Sequence, residues 1–272
     1  MKRVWVAVMF TLAAIGCPAM ALAFDPGRVG FTVHVNGVPV DLNRFFTTAM
    51  PGATVSLSLA EGESARDFRL SAGREPVAPE SPTGWQWTAP GSPGVSHLSI
   101  EQKATGRVMH LTVFTLVPAN RVVQGKLNGY RIGNYPDKPL RGLDVYRPPR
   151  GFIEVTKANA NLPVSPHFTL AQFVCKQAGD YPKYLTLRPR LLLKLEGVLG
   201  EVNTRGIKAD SLVVMSGYRT PYYNRLIGNV PYSRHQWGGA ADIYIDVAPQ
   251  DGQMDDVSGD GRVNRLDALW LY

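Results

Sequence analysis

The segment Ser216–Asp246, SGYRTPYYNRLIGNVPYSRHQWGGAADIYID, contains most of the residues in this 272-residue chain that indicate a chemistry. Its last part alternates like a β-strand, so Asp242 points to one face while Ile243 and Ile245 point to the other, toward a core. His235 precedes a Gly-Gly turn that can bring its side chain close to Asp242. Imidazole and carboxylate together are a partial ligand set for zinc. Alone, the pair is also compatible with a structural histidine.

Two consecutive signatures lie in this segment. The first is Ser216-Gly-Tyr-Arg-Thr220, and the second is Ser233-x-His-x-x-Gly-x-Ala-x-Asp242. Together they resemble the zinc D-alanyl-D-alanine carboxypeptidase family of peptidoglycan peptidases, and every fixed position of both signatures is present. The resemblance extends from about residue 166 onward, which is under half of the chain.

The resemblance implies a role for four side chains. His235 and Asp242 would be zinc ligands, and Ser233 would help to position the substrate peptide. Arg219 would bind a substrate carboxylate or stabilise charge near the scissile carbonyl, a role that suits its planar, permanently charged guanidinium. The implied reaction is hydrolysis of an amide that contains a D-amino acid, by a zinc-activated water. The implied partners are peptidoglycan stem peptides or cross-links.

The family also requires a third zinc ligand, a histidine well downstream, with a glutamate or histidine near it. No histidine follows His235 and no glutamate follows Glu201. One interpretation is that the chain as given is incomplete and inactive; it is favoured because the chain stops within an apparent amphipathic helix at Tyr272, without a helix stop signal. The other is a non-catalytic cell-wall-binding module with a degenerate metal site. His167 is a possible substitute ligand for which the family gives no support.

An acidic segment over residues 256–267 follows the calcium-loop pattern, with Gly261 at the sixth loop position. It also resembles the loop of dockerin modules, in which the loop is duplicated. We therefore expect a structural Ca²⁺ ion rather than scaffold docking, and the alternative is an Asp- and Gly-rich surface turn. The candidate ligands are Asp256, Ser258, Asp260, Arg262, Asn264 and Asp267.

Upstream of the signatures, apolar and polar residues alternate in several short runs. The run from Phe31 to Val35 is followed by Asn36-Gly37, which predicts a β-hairpin. Such runs, separated by Pro- and Gly-rich turns, predict an N-terminal all-β sandwich, immunoglobulin-like, over residues 24–118. Periodicity fades over residues 119–165, which we interpret as a connector.

The C-terminal part has a different pattern. Apolar residues recur at spacings of three and four between Pro189 and Asn203, which predicts a helix. Short apolar runs beside it predict strands. We therefore expect an α+β zinc-peptidase domain with a small antiparallel sheet over residues 166–272, which includes the calcium-loop-like insertion 256–267.

The first 23 residues have the pattern of a secretory signal peptide, which predicts a periplasmic or extracellular protein. Lipid anchoring at Cys17 is the alternative. No later apolar run reaches the roughly 18 residues that a membrane span needs. The formal net charge of +7 is modest and spread out, and no cluster of Lys and Arg interleaved with aromatic residues indicates nucleic-acid binding.

Overall fold

The structure is a computed structural model that describes residues 23–271. The predicted signal peptide lies outside the described residues except for Ala23, and so does Cys17. Among the described residues, no helix has the length and apolar character needed to cross a lipid bilayer. Strands in several small sheets form most of the regular structure, and the helices are few. This arrangement is compatible with a β-rich region followed by a peptidase region.

The N-terminal part forms two sheets. One has the strand order β2-β1-β4-β7 and is antiparallel, and the other has the order β3-β9-β8-β5-β6, in which β3 and β9 are parallel. The strands are β1 Arg28–Val35, β2 Val38–Leu42, β3 Arg44–Ala49, β4 Thr54–Leu59, β5 Phe68–Ala72, β6 Glu75–Val77, β7 Gly84–Thr88, β8 Gly94–Gln102 and β9 Val108–Thr115.

The predicted hairpin between β1 and β2 is confirmed. Asn36 and Gly37 have positive φ angles of 49° and 77°, as a tight two-residue turn requires, and Val35 pairs with Val38 across it. The inner faces of the two sheets meet, since the ring of Phe31 lies 5.1 Å from that of Phe68, centroid to centroid. The immunoglobulin-like topology stays a prediction.

A third sheet connects the N-terminal part with the peptidase-like part. Its order is β10-β13-β14, and its central strand β13 lies inside the predicted connector. Four of the five residues of β13 are buried, so the strand lacks the alternation that a sequence pattern would detect. The strands of this region are β10 Val117–Pro118, β11 Lys126–Leu127, β12 Tyr130–Arg131, β13 Gly151–Val155 and β14 Lys183–Leu185.

The C-terminal part has three helices and a small antiparallel sheet. The predicted helix that starts at Pro189 is confirmed, with Pro189 in its first turn and its apolar stripe buried. The pair β15–β16 forms the sheet and places Ser216 beside Asp242. The elements are α1 Pro189–Thr204, β15 Val213–Ser216, α2 Pro221–Leu226, β16 Asp242–Tyr244 and α3 Arg265–Trp270.

Candidate metal centre

Arg219 connects the two strands of the small sheet. Its Nε donates a hydrogen bond of 2.8 Å to the Ser216 hydroxyl, and its Nη2 donates one of 2.5 Å to Asp242 Oδ2. The Arg219 side chain is 12% exposed and that of Asp242 39% exposed, so the carboxylate lies at the open side of the pair. The second carboxylate oxygen, Oδ1, is directed toward His235.

His235 lies on a single 3-10 turn, Arg234–Trp237, and is buried. Its Nδ1 lies 2.8 Å from the Gly217 carbonyl oxygen, and because a carbonyl only accepts, Nδ1 carries the proton. In the neutral ring Nε2 therefore bears a lone pair. This Nε2 lies 3.4 Å from Asp242 Oδ1. In metal-binding histidines the ring nitrogen that does not bind the metal commonly donates its hydrogen to a backbone carbonyl, which orients the ring. Nδ1 of His235 has this role here.

Gly238 ends the turn that carries His235. It has a φ of 61°, and its N–H donates to the His235 carbonyl at 3.1 Å. A Cβ at this position would lie 2.2 Å from the Thr186 carbonyl oxygen. The Gly238 carbonyl in turn accepts from the Arg188 N–H at 3.0 Å. The turn therefore requires glycine both for its backbone conformation and for its close approach to the segment between β14 and α1.

The residues present fit part of a zinc site. Nε2 of His235 and Oδ1 of Asp242 are donors that Zn²⁺ accepts, they lie side by side, and both are held by neighbouring groups. Within residues 23–271, however, no group of three or more His, Cys, Asp or Glu side chains is arranged to hold a metal ion. The structure therefore brings together the two ligands that the sequence indicates and adds no third.

His167 is not available as a substitute ligand. Its Nδ1 donates to Glu196 Oε2 at 2.6 Å, and its Nε2 donates to the Asp25 carbonyl at 3.0 Å, so both ring nitrogens are engaged. Burial lowers the pKa of His167, but the hydrogen bond and charge of Glu196 outweigh this effect, and the pKa lies above its ordinary value. The histidine is part of an internal ion pair.

Ser233 lies immediately before the turn that carries His235. Its carbonyl accepts from the Gln236 N–H at 3.0 Å, and its own N–H donates to Val230 at 3.2 Å. The Ser233 side chain forms no hydrogen bond within the described part of the chain, and so none to Arg219 or Asp242. A role in positioning substrate stays a prediction.

A layer of aromatic residues lies behind the site; Tyr218 and Trp237 belong to the signature segment, whereas Tyr135 was not indicated by the sequence. The Tyr135 hydroxyl donates to the Gln236 carbonyl at 2.8 Å and lies 2.9 Å from the Tyr218 hydroxyl, which must then be the donor to it. Burial raises the pKa of both tyrosines, so both stay protonated. Trp237 donates its indole N–H to the Arg147 carbonyl at 2.9 Å. The only sequence signal for Tyr135 was the high aromatic content of the connector.

The acidic segment forms one compact loop before α3. Asp256 accepts backbone N–H groups from Gly259 at 2.8 Å and Gly261 at 2.6 Å, and Asp267 accepts those of Ser258 and Asn264. These hydrogen bonds, that from Asn264 first, lower the pKa of Asp267 to about 2. The backbone of Arg262 and the amide of Asn264 are bound to Asp260. The six candidate ligands therefore lie in one loop, and calcium binding stays a prediction.

His235, with Nε2 beside a carboxylate that Arg219 holds, would fit part of a metal site. Residues 166–257 match the family model described as Peptidase M15. The match supports the M15 zinc peptidase family broadly, and with it a metallopeptidase-type enzyme, without indicating the D-alanyl-D-alanine carboxypeptidase subfamily.

Two further comparisons add little. No curated protein of similar sequence was found. Among solved structures, one match is the SGBP-B protein of the Bacteroides ovatus mixed-linkage glucan utilization locus, in complex with a mixed-linkage heptasaccharide. It has 13% sequence identity, the match covers 28% of this chain and 23% of that chain, and the TM-score is 0.19. This TM-score is too low to indicate a shared fold.

Proposed function

We propose that the protein is an exported zinc peptidase that hydrolyses amide bonds containing D-amino acids in peptidoglycan peptides. The observation that carries the proposal is the pair of His235 and Asp242. One ring nitrogen of His235 is fixed by the Gly217 carbonyl, and the other faces a carboxylate oxygen that Arg219 leaves free. The match of residues 166–257 to M15 peptidases supports the same chemistry.

In this proposal His235 and Asp242 would hold the zinc ion, and the described residues provide no third ligand. Bound zinc would polarise the scissile carbonyl and lower the pKa of a bound water. Arg219 orients Asp242 through Oδ2 and supplies a fixed positive charge for a substrate carboxylate or for the oxyanion that develops. Ser233 contacts the substrate peptide. The N-terminal β region positions the enzyme on the wall.

One observation favours a second candidate function. The described residues contain no set of three metal-binding side chains. A non-catalytic module would not need such a set. Such a module would bind cell-wall peptides through the same surface without cleaving them. Zinc content and peptide release distinguish the two candidates.

The test compares the protein, as its gene encodes it, with its His235→Ala variant. We expect the unaltered protein to contain zinc by elemental analysis and to release D-alanine from muropeptides. The variant should lose both, because the alanine has no donor for the metal. His97→Ala is the matched control, since His97 is exposed on β8 in the N-terminal part, and it should change neither quantity. Release of D-alanine by His235→Ala would refute the ligand assignment. Binding of peptide without zinc or release, in the unaltered protein, would favour the module.

A further inference from the structure

A cavity of about 430 Å³ lies between the N-terminal sheets and the peptidase-like part. Its walls come from the end of β3, the loop before β13, the segment before α1 and the side chain of Trp237. This volume falls within the roughly 300–1,000 Å³ of typical small-molecule sites. The cavity is separate from the carboxylate of Asp242, which does not line it.

The charge on its walls is of one sign. Arg147, Arg150 and Arg188 line the cavity, and no Asp or Glu does. Arg147 pairs with Asp144 at 2.6 Å, but both side chains are strongly exposed, so water screens that pair. Arg150 and Arg188 form no salt bridge within residues 23–271. Arg150 and Arg188 therefore carry positive charge that no carboxylate among the described residues pairs with.

Arg188 is oriented but not neutralised. Its Nε donates to the Trp237 carbonyl at 3.0 Å, and its Nη2 donates to the Val145 carbonyl. Burial, and then the positive charge of Arg234, lower the pKa of Arg188. A guanidinium nevertheless stays protonated. Burial and the nearby Arg234 both disfavour the charge on Arg188, and a bound anion would offset both effects.

The remaining walls are mostly apolar, with Met50, Leu116, Ile153 and Leu187 among them. Thr186 also lines the cavity, and its hydroxyl is buried without a hydrogen-bond partner among the described residues. A buried polar group without a partner is unfavourable, and a ligand that hydrogen-bonds to it would remove that penalty. The surroundings of the arginines therefore suit a ligand that combines an oxyanion with an apolar body.

We propose that this cavity binds an oxyanion, a carboxylate or phosphate group, that is attached to an apolar body. Arg150 and Arg188 contact the oxyanion, since both line the cavity and neither has a carboxylate partner within residues 23–271. Trp237 and the apolar wall contact the body. Arg188 also binds the Trp237 and Gly238 carbonyls, so the ligand lies next to the turn that carries His235. The site needs neither zinc nor hydrolysis and goes beyond the proposed function.

Calorimetric titration of the full chain with two probes tests the proposal. The probes are 3-phenylpropionate and phenyl phosphate, which carry a carboxylate and a phosphate on an apolar ring, and the tighter-binding one identifies the preferred oxyanion. Arg150→Gln should weaken binding about tenfold or more, because a charge-assisted hydrogen bond is lost. The Arg150 side chain makes no hydrogen bond or salt bridge in the described chain, so folding should be retained. Arg150→Lys keeps the charge and should retain part of the affinity.

Arg74→Gln is the control variant. It removes the same charge from the exposed turn between β5 and β6, at the edge of the five-stranded sheet opposite to β3. It should bind the probe as the unaltered chain does. The proposal is wrong if Arg150→Gln and Arg74→Gln bind with equal affinity, or if the unaltered chain binds neither probe.

Discussion

Gly238 is the residue on which the orientation of His235 depends most directly. It ends the 3-10 turn in a left-handed conformation and lies against the backbone of Thr186, where a side chain has no space. The neighbouring Gly239 has a different environment, because a Cβ there would meet the Arg188 side chain at 3.4 Å and the Arg234 carbonyl oxygen at 3.8 Å, which are ordinary contact distances. Substitution of Gly238 therefore tests the need for glycine in the turn, and substitution of Gly239 is the control.

Gly238→Ala should destabilise the protein by about 2–4 kcal/mol, since the left-handed backbone and the overlap with Thr186 each add a penalty. Denaturant unfolding measures the change in the free energy of unfolding. Gly239→Ala should change it by less than about 1 kcal/mol. If the two variants have equal stability, the backbone around residue 238 differs from the one described.

The site residues divide into those that a sequence reveals and those that it does not. His235, Asp242 and Arg219 lie in two short signatures, because side chains with fixed roles recur at fixed spacing. The partners that hold them differ in kind. The Gly217 carbonyl that binds His235 is a backbone group, and any residue type at position 217 would carry it. Tyr135 lies 101 positions before Gln236, whose carbonyl it binds. Contacts of this kind depend on the fold and carry no local pattern.

At the scale of elements, the loop before α3 is held by carboxylates that accept backbone N–H groups. Asn264 caps the helix, and Asp267 closes the capping box. In a calcium loop the same carboxylates would bind the ion, so a cation would compete with hydrogen bonds that already stabilise the loop. Calcium binding would then have to supply more free energy than these hydrogen bonds do.

We expect Ca²⁺ to raise the melting temperature of the full chain relative to EDTA, by roughly 2–4 °C for each kcal/mol of binding free energy. Asp260→Ala should abolish the shift, because it removes the fifth loop position. Asp251→Ala, in the preceding exposed loop, should leave the shift unchanged. Differential scanning fluorimetry measures the effect. Equal melting temperatures in Ca²⁺ and EDTA would identify the segment as an ordinary surface turn.

Strands and helices were predictable from the sequence where only one of their faces is buried. The strand β1 alternates between buried and exposed positions, and the helix α1 buries one stripe, so both patterns are visible in the sequence. The strand β13 is buried on both faces and lies between irregular segments, so its composition resembles that of the connector around it. The sequence pattern therefore predicted a connector over residues 119–165, where the structure has the central strand of the third sheet.

At the scale of the whole molecule, the first described residues attach to the peptidase-like part. The ring of Phe24 stacks on that of His167 with centroids 4.9 Å apart, and the Asp25 carbonyl accepts the His167 Nε2–H. Glu196 on α1 holds the opposite side of the imidazole. One charged ring therefore joins the start of the β region to the main helix.

This attachment should depend on pH. The pKa of His167 is raised in the folded state, so its stabilising contribution is complete below the ordinary histidine pKa and is lost as the pH rises through the raised value. The melting temperature should fall over that range, and His167→Gln should remove this part of the decline. His97→Gln, an exposed substitution on β8, should retain it. An identical pH profile in His167→Gln and the unaltered chain would show that the ion pair does not control the attachment.

The distance along the chain between Asp25 and His167 also affects how a newly made molecule folds. The two residues are 142 positions apart, and Glu196 is synthesised later still. At about 5–20 residues per second, Asp25 leaves the ribosome on the order of ten to thirty seconds before Glu196. All residues of the hairpin of β1 and β2 are synthesised early, so the hairpin can form early. The segment before it, with Phe24 and Asp25, can attach only after His167 has been synthesised. We therefore expect the attachment of this segment to His167 to be among the last events of folding.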